Sequence, residues 1–248
     1  RSQFDAWAKV APVLGWRPNI TGGVRNGFPD VKLQHIIDEF RHLDEVDCVT
    51  LTIDTFPEFW ATQGPMYYLV GQLAWDPRQD GEAVLADYYQ RAFGKAAAAM
   101  RDYWELMEEA AELYEVGQPY GDVYDSAYFD KTGSLLDEAA AAVADEPRRF
   151  ADRIAFVRAG FDYARLYVNL QETMDRYKKS GRKDEKAAKE ARAIWAEIKR
   201  IGTHGQIFLV QLEYYIGNDR IKYLVPKVQM RILLLLSIIR HFTIEILE

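Results

Sequence analysis

The stretch Cys48–Asp54 limits the fold more than any other part of this chain. It is rich in β-branched residues, and a helical stripe separates it from the other strand-like segment, Val13–Asn19. Branched side chains suit a pleated strand. Two strands joined through a helical crossover cannot make a hairpin and must pair in parallel. The crossover is Val31–Leu43, which sets Leu33, Ile36, Ile37 and Phe40 on one face and Gln34, His35, Asp38 and Arg41 on the other. A short helix through Phe4, Trp7, Ala8 and Ala11, ended by Pro12, comes before the first strand. Gly64 and Pro65 open a third helix after the second strand, with Pro in a favoured first-turn position.

Strand alternation sets Val49, Leu51 and Ile53 on one side of the second strand, with Cys48, Thr50, Thr52 and Asp54 on the other. In a βα barrel, Asp54 would lie at the strand's carboxyl end and face the mouth. A closed barrel needs eight strands and about 250 residues. Residues 1–76 therefore read as the last two βα units of a (βα)8-type barrel. The edge of the first strand would be covered by an upstream barrel segment or by another chain. The sequence opens on Arg1 rather than Met, so further polypeptide is expected ahead of it, including any leader that would fix localisation.

Beyond Trp75 the two-residue rhythm gives way to helical spacing. Asp80 can cap a helix over Gly81–Phe93 that Gly94 terminates. A helix over Lys95–Tyr114 buries Met100, Tyr103, Trp104, Met107 and Ala111. Ser134 and Asp137 resemble the start of a short helix. Pro147 opens a long helix to Lys179, Gly181 ends it, and Asp184 can cap the next. Residues 77–216 read as a helical bundle domain and residues 217–248 as an unassigned apolar tail. The predicted fold is mainly α with a partial α/β part, a barrel remnant followed by a C-terminal helical bundle.

The run Phe59-Trp60-Ala61-Thr62-Gln63-Gly64-Pro65-Met66-Tyr67-Tyr68 is the most distinctive text in the sequence. Together with Leu73–Pro77, Asp87-Tyr88-Tyr89, Phe93–Ala97 and Tyr103-Trp104, it resembles a bacterial glycoside-hydrolase-like family. That family has an α-glucuronidase-type barrel and a C-terminal helical domain. The likeness runs from about Phe4 to Trp195 and rests on this aromatic and Gly-Pro text rather than on catalytic residues. It implies a carbohydrate partner and a catalytic pair on strands upstream of Arg1. On that view the chain is a fragment of a carbohydrate-active protein, and no turnover is expected from it alone.

The candidate substrate-binding residues are Arg17, Asn19, Asp54 and Trp60, with no catalytic residue assigned. Arg17 and Asn19 share a face at the end of the first strand. If that face is the mouth, Arg17 can grip a sugar carboxylate bidentately, which suits a uronic acid. An ion pair with Asp54 or Asp30 is the plainer account. Asp54 is read as a turn cap first and a hydroxyl acceptor second. Trp60 could stack on a sugar ring, although an aromatic at such a place is more often core. Glu58 is the only acid near Asp54 at the predicted mouth. His35, Glu39 and His42 align on one helical face, but this is the polar side of an amphipathic helix and lacks a fourth ligand.

No metal and no cofactor is expected. Phosphate-loop, dinucleotide and nucleophile-elbow motifs are missing from the sequence. Cys48 is the single cysteine. The net charge of −7, with basic residues scattered among acids, argues against nucleic acid as a partner. The longest apolar run, Ile232–Ile239, broken only by Ser237, is too short for a span of about 20 residues. The rival to the carbohydrate reading is a helical protein-interaction or structural module in which the bundle carries the role.

Overall fold

The computed structural model describes residues 2–18, 28–53 and 59–205. They are mainly α-helical with one small open sheet. Among the described residues, eight α-helices and two strands run in the order α1 Ser2–Ala8, β1 Leu14–Trp16, α2 Leu33–Glu45, β2 Cys48–Leu51, α3 Trp60–Trp75, α4 Gly81–Phe93, α5 Ala97–Leu113, α6 Ser126–Ala142, α7 Arg148–Lys179 and α8 Glu185–Gly205. The chain divides into two compact units, Arg1–Val168 and Asn169–Glu248. The tail assigned to residues 217–248 lies outside the described residues.

The β-α-β order predicts parallel pairing, and β1 and β2 are parallel. Leu14 pairs with Cys48, Gly15 with Thr50 and Trp16 with Leu51. The register therefore skips Val49, leaving it as the extra residue of a bulge. This is why the expected alternation fails: Val49 is 66% exposed instead of sharing a covered side with Leu51. α2 packs on the sheet through Phe40, which meets Trp16 edge to face at 5.8 Å. Its buried residues are Leu33, Ile36, Ile37, Phe40 and Leu43, the stripe that helical spacing predicts with one turn added. Asp5 Oδ1 of α1 lies 2.7 Å from His42 Nε2 of α2, so His42 of the aligned His35, Glu39 and His42 set is engaged by α1.

The barrel reading is corrected here. Strands of three and four residues form a two-stranded sheet that does not close, and every described element after β2 is helical. A barrel unit requires a strand paired on both sides within a closed ring. Among the described residues, each strand has a neighbour on one side only.

The helical part of the first unit starts from local signals. Asp80 accepts hydrogen bonds from the backbone N–H groups of Glu82 and Ala83 at 3.0 and 3.4 Å, and Gly94 ends α4 in the left-handed region at φ 56°. α6 differs from expectation. It begins at Ser126 with Asp125 as its cap, accepting from Tyr128 N–H at 2.8 Å, whereas Asp137 pairs with Arg158 of α7. α3 also differs, because it starts at Trp60 and holds Pro65 in its interior. Proline has no N–H to give the Ala61 carbonyl. Gly160 of α7 lies against that carbonyl, where a Cβ would come within 2.8 Å of the oxygen.

The core of this unit centres on Met100, Tyr103, Trp104 and Met107 of α5, all at most 2% exposed. A second cluster gathers around Phe28, whose ring meets Tyr120, Tyr124 and Tyr167 at 4.9, 4.7 and 5.6 Å. In the second unit, Gly181 turns the chain at φ 68° and Asp184 caps α8 by accepting from Ala187 N–H at 2.9 Å. Arg176 joins Glu190 across this helical hairpin at 2.8 Å.

Candidate functional site

Of the four candidate binding residues, Asn19 and Asp54 lie outside the described residues, as does Glu58. Arg17 is exposed just beyond β1. Trp60 opens α3, is 46% exposed, and meets Tyr67 edge to face at 5.1 Å.

Trp60 also lines a cleft of about 330 Å³ between α3, α4 and α7. Tyr68 and Tyr88 form one wall with their ring centroids 5.1 Å apart, and Phe93, Phe156 and Val157 continue the apolar lining. The distinctive Gly-Pro text has a geometric role here. The Tyr88 hydroxyl sits over Gly64, where an added Cβ would come within 2.8 Å of it. Gly160 brings the α7 backbone against α3. Residues three to seven positions earlier on α7, namely Arg153, Phe156 and Val157, thereby reach the cleft.

The polar rim has two differently occupied guanidinium groups. Arg91 Nε donates to Asp87 Oδ1 at 2.6 Å, and the Tyr68 hydroxyl donates to Asp87 Oδ2 at 3.3 Å. The hydrogen bond from Arg91 holds the Asp87 carboxyl below its ordinary range, and Asp87 holds the Arg91 guanidinium above its own. Burial raises the Tyr68 phenol, and the adjacent Asp87 charge adds to this. Arg153 binds differently. Its Nη1 donates to the Arg91 and Ala92 carbonyls at 2.9 and 3.1 Å, placing a cation at the carbonyl end of α4. Burial pushes the Tyr88 phenol well up, with the Arg153 charge opposing.

The sequence points to Trp60 as a candidate and holds Tyr68 and Tyr88 within its distinctive text, but it does not single out Arg91, Arg153 or Phe156. Asp87 and Arg91 stand four residues apart and were readable as a helical pair. Nothing local links Arg153 and Phe156 to α3, because that link depends on a helix packing across about ninety residues of sequence. Among the described residues, no group of three His, Cys, Asp or Glu side chains is placed to hold a metal ion. No helix among them is long and apolar enough to cross a membrane.

Residues 2–105 match the family model of a domain of unknown function, DUF4838. The DUF4838 match covers α1 to the middle of α5, less than half of the chain, and takes in Trp60, Tyr68, Tyr88 and Arg91 of the cleft. Comparison with curated proteins and with solved structures finds no match. The expected membership of a glycoside-hydrolase-like family with a glucuronidase-type barrel is overturned. The matching family is DUF4838 and the sheet is an open pair of strands, so the carbohydrate and barrel descriptions fall with it.

Proposed function

We propose that this chain is a helical protein-interaction module without sugar chemistry. In this reading the packed helices hold out the open β1–β2 ladder to the same ladder of a second copy of this chain. The observation that carries the reading is a two-stranded parallel sheet with Val49 bulged into solvent. Parallel sheets occur almost only with both faces covered. A two-stranded ladder alone is marginal in water. α2 covers the sheet through Phe40, while Val13 and Val49 are each 66% exposed. Trp7 and Val10, just before β1, are 65% and 73% exposed and enlarge the apolar area.

An incoming strand would satisfy the backbone groups along an edge and remove these side chains from water in one event. The second copy brings such a strand, with apolar residues to face Val13 and Val49. Sedimentation of the purified chain tests this, since a second copy carries the same ladder. The expected result is concentration-dependent association that Val49→Lys weakens by about tenfold or more. A chain that stays monomeric up to about 1 mM, where even a weak contact of some −4 kcal/mol would register, contradicts the proposal.

A further inference from the structure

We propose that the cleft between α3, α4 and α7 binds a small aromatic monocarboxylate, its ring among Trp60, Tyr68 and Phe156 and its carboxylate on Arg153. This site is separate from the β-ladder and does not depend on the interaction reading. The cleft's volume of about 330 Å³ is at the lower end for small-molecule pockets and suits a single ring with a short acidic arm. Its walls are chiefly aromatic, and offset or edge contacts with such rings favour a flat apolar group.

Arg153 supplies the selectivity. A guanidinium has five N–H donors in a fixed plane. Two of these, both on Nη1, are committed to the Arg91 and Ala92 carbonyls. That anchoring fixes the plane and leaves the Nε and Nη2 side, the edge that meets a carboxylate through two parallel hydrogen bonds. Arg91 is the weaker candidate, because the Asp87 carboxylate on its Nε already balances its charge. Two guanidinium charges against one carboxylate leave the rim positive on a chain whose net charge is −7. A neutral aromatic would leave the fork unused. A hydroxyl-rich ligand would find few polar groups on these walls, since the Tyr68 hydroxyl already donates to Asp87.

The test is calorimetric titration of the full chain at low salt with 3-phenylpropionate and with its neutral analogue 3-phenylpropan-1-ol. Saturable one-to-one binding of the acid is expected, with the alcohol weaker by about tenfold or more. Arg153→Gln should remove the difference between acid and alcohol, whereas Trp60→Leu should weaken both. Because Arg153 also caps α4, Arg153→Lys serves as the variant that retains the charge, and it should keep a preference for the acid. Absence of saturation, equal affinity for acid and alcohol, or a preference that survives Arg153→Gln would each overturn the proposal. If Arg153→Gln fails to fold, the acid–alcohol comparison on the parent chain and on Arg153→Lys decides the matter.

Discussion

The two-stranded ladder of the sheet lobe, which runs from α1 to β2, and the core of the helical body around Trp104 of α5 dispose of apolar residues in opposite ways. Trp104 of α5 is fully buried, whereas Trp7 before the sheet is 65% exposed and Val49 within it 66%. The difference lies in how each element satisfies its backbone. A helix closes its own hydrogen bonds, so one apolar stripe is enough to seat it against a neighbour. A strand closes none by itself and depends on strands at both edges. The helical body can therefore complete a core from within this chain, while the described ladder is left with open edges.

The sharpest way to break this contrast is to truncate one large side chain in each region. Trp104→Ala should cost roughly 3–5 kcal/mol in urea unfolding, and Val49→Ala should stay within about 0.5 kcal/mol. Similar losses at both positions would mean that the lobe is as closely packed as the body. Next in size is the helix contact beside Pro65. Gly160→Ala would press a methyl group onto the Ala61 carbonyl and should cost about 1–3 kcal/mol by the same measurement. Asp80→Ala, which removes the two hydrogen bonds of a local cap, should cost about 1 kcal/mol.

The smallest effect belongs to the surface of the body. The Asp87 carboxyl is held below its ordinary range by Arg91, so its contribution is present above the unfolded carboxyl's pKa and is lost as pH falls through the folded value. The difference in melting temperature between the parent chain and Asp87→Asn should be slight at neutral pH and should vanish on acidification. A difference that grows as pH falls would reverse the assigned sign.

What could be read from the sequence was what local chemistry decides. Asp80, Gly94, Gly181 and Asp184 mark helix ends because each cap acts on backbone groups within a few residues. The α2 stripe was legible because its spacing matches the helical repeat. The start of α6 was misplaced because Ser134 and Asp137 imitate a capping pair, whereas Asp137 is drawn to Arg158 on another helix. Pro65 suggests a first turn, whereas α3 begins five residues earlier at Trp60, and Gly160 of α7 packs against the Ala61 carbonyl beside it. Val49 was placed on the wrong side because a bulge depends on the partner strand's register, which one strand's text does not contain. The cleft was half visible: Trp60 and the Gly-Pro text lie in α3, but Arg153 and Phe156 arrive through long-range packing.

Hydrogen exchange resolved to single amides tests the open ladder most directly. In dilute solution the β1 and β2 amides should open far more readily than those of α5 around Trp104, and they should gain protection as concentration rises and strands become available. Strand amides as protected as α5 in a dilute, monomeric sample would show a ladder complete in itself, and the interaction reading would be wrong.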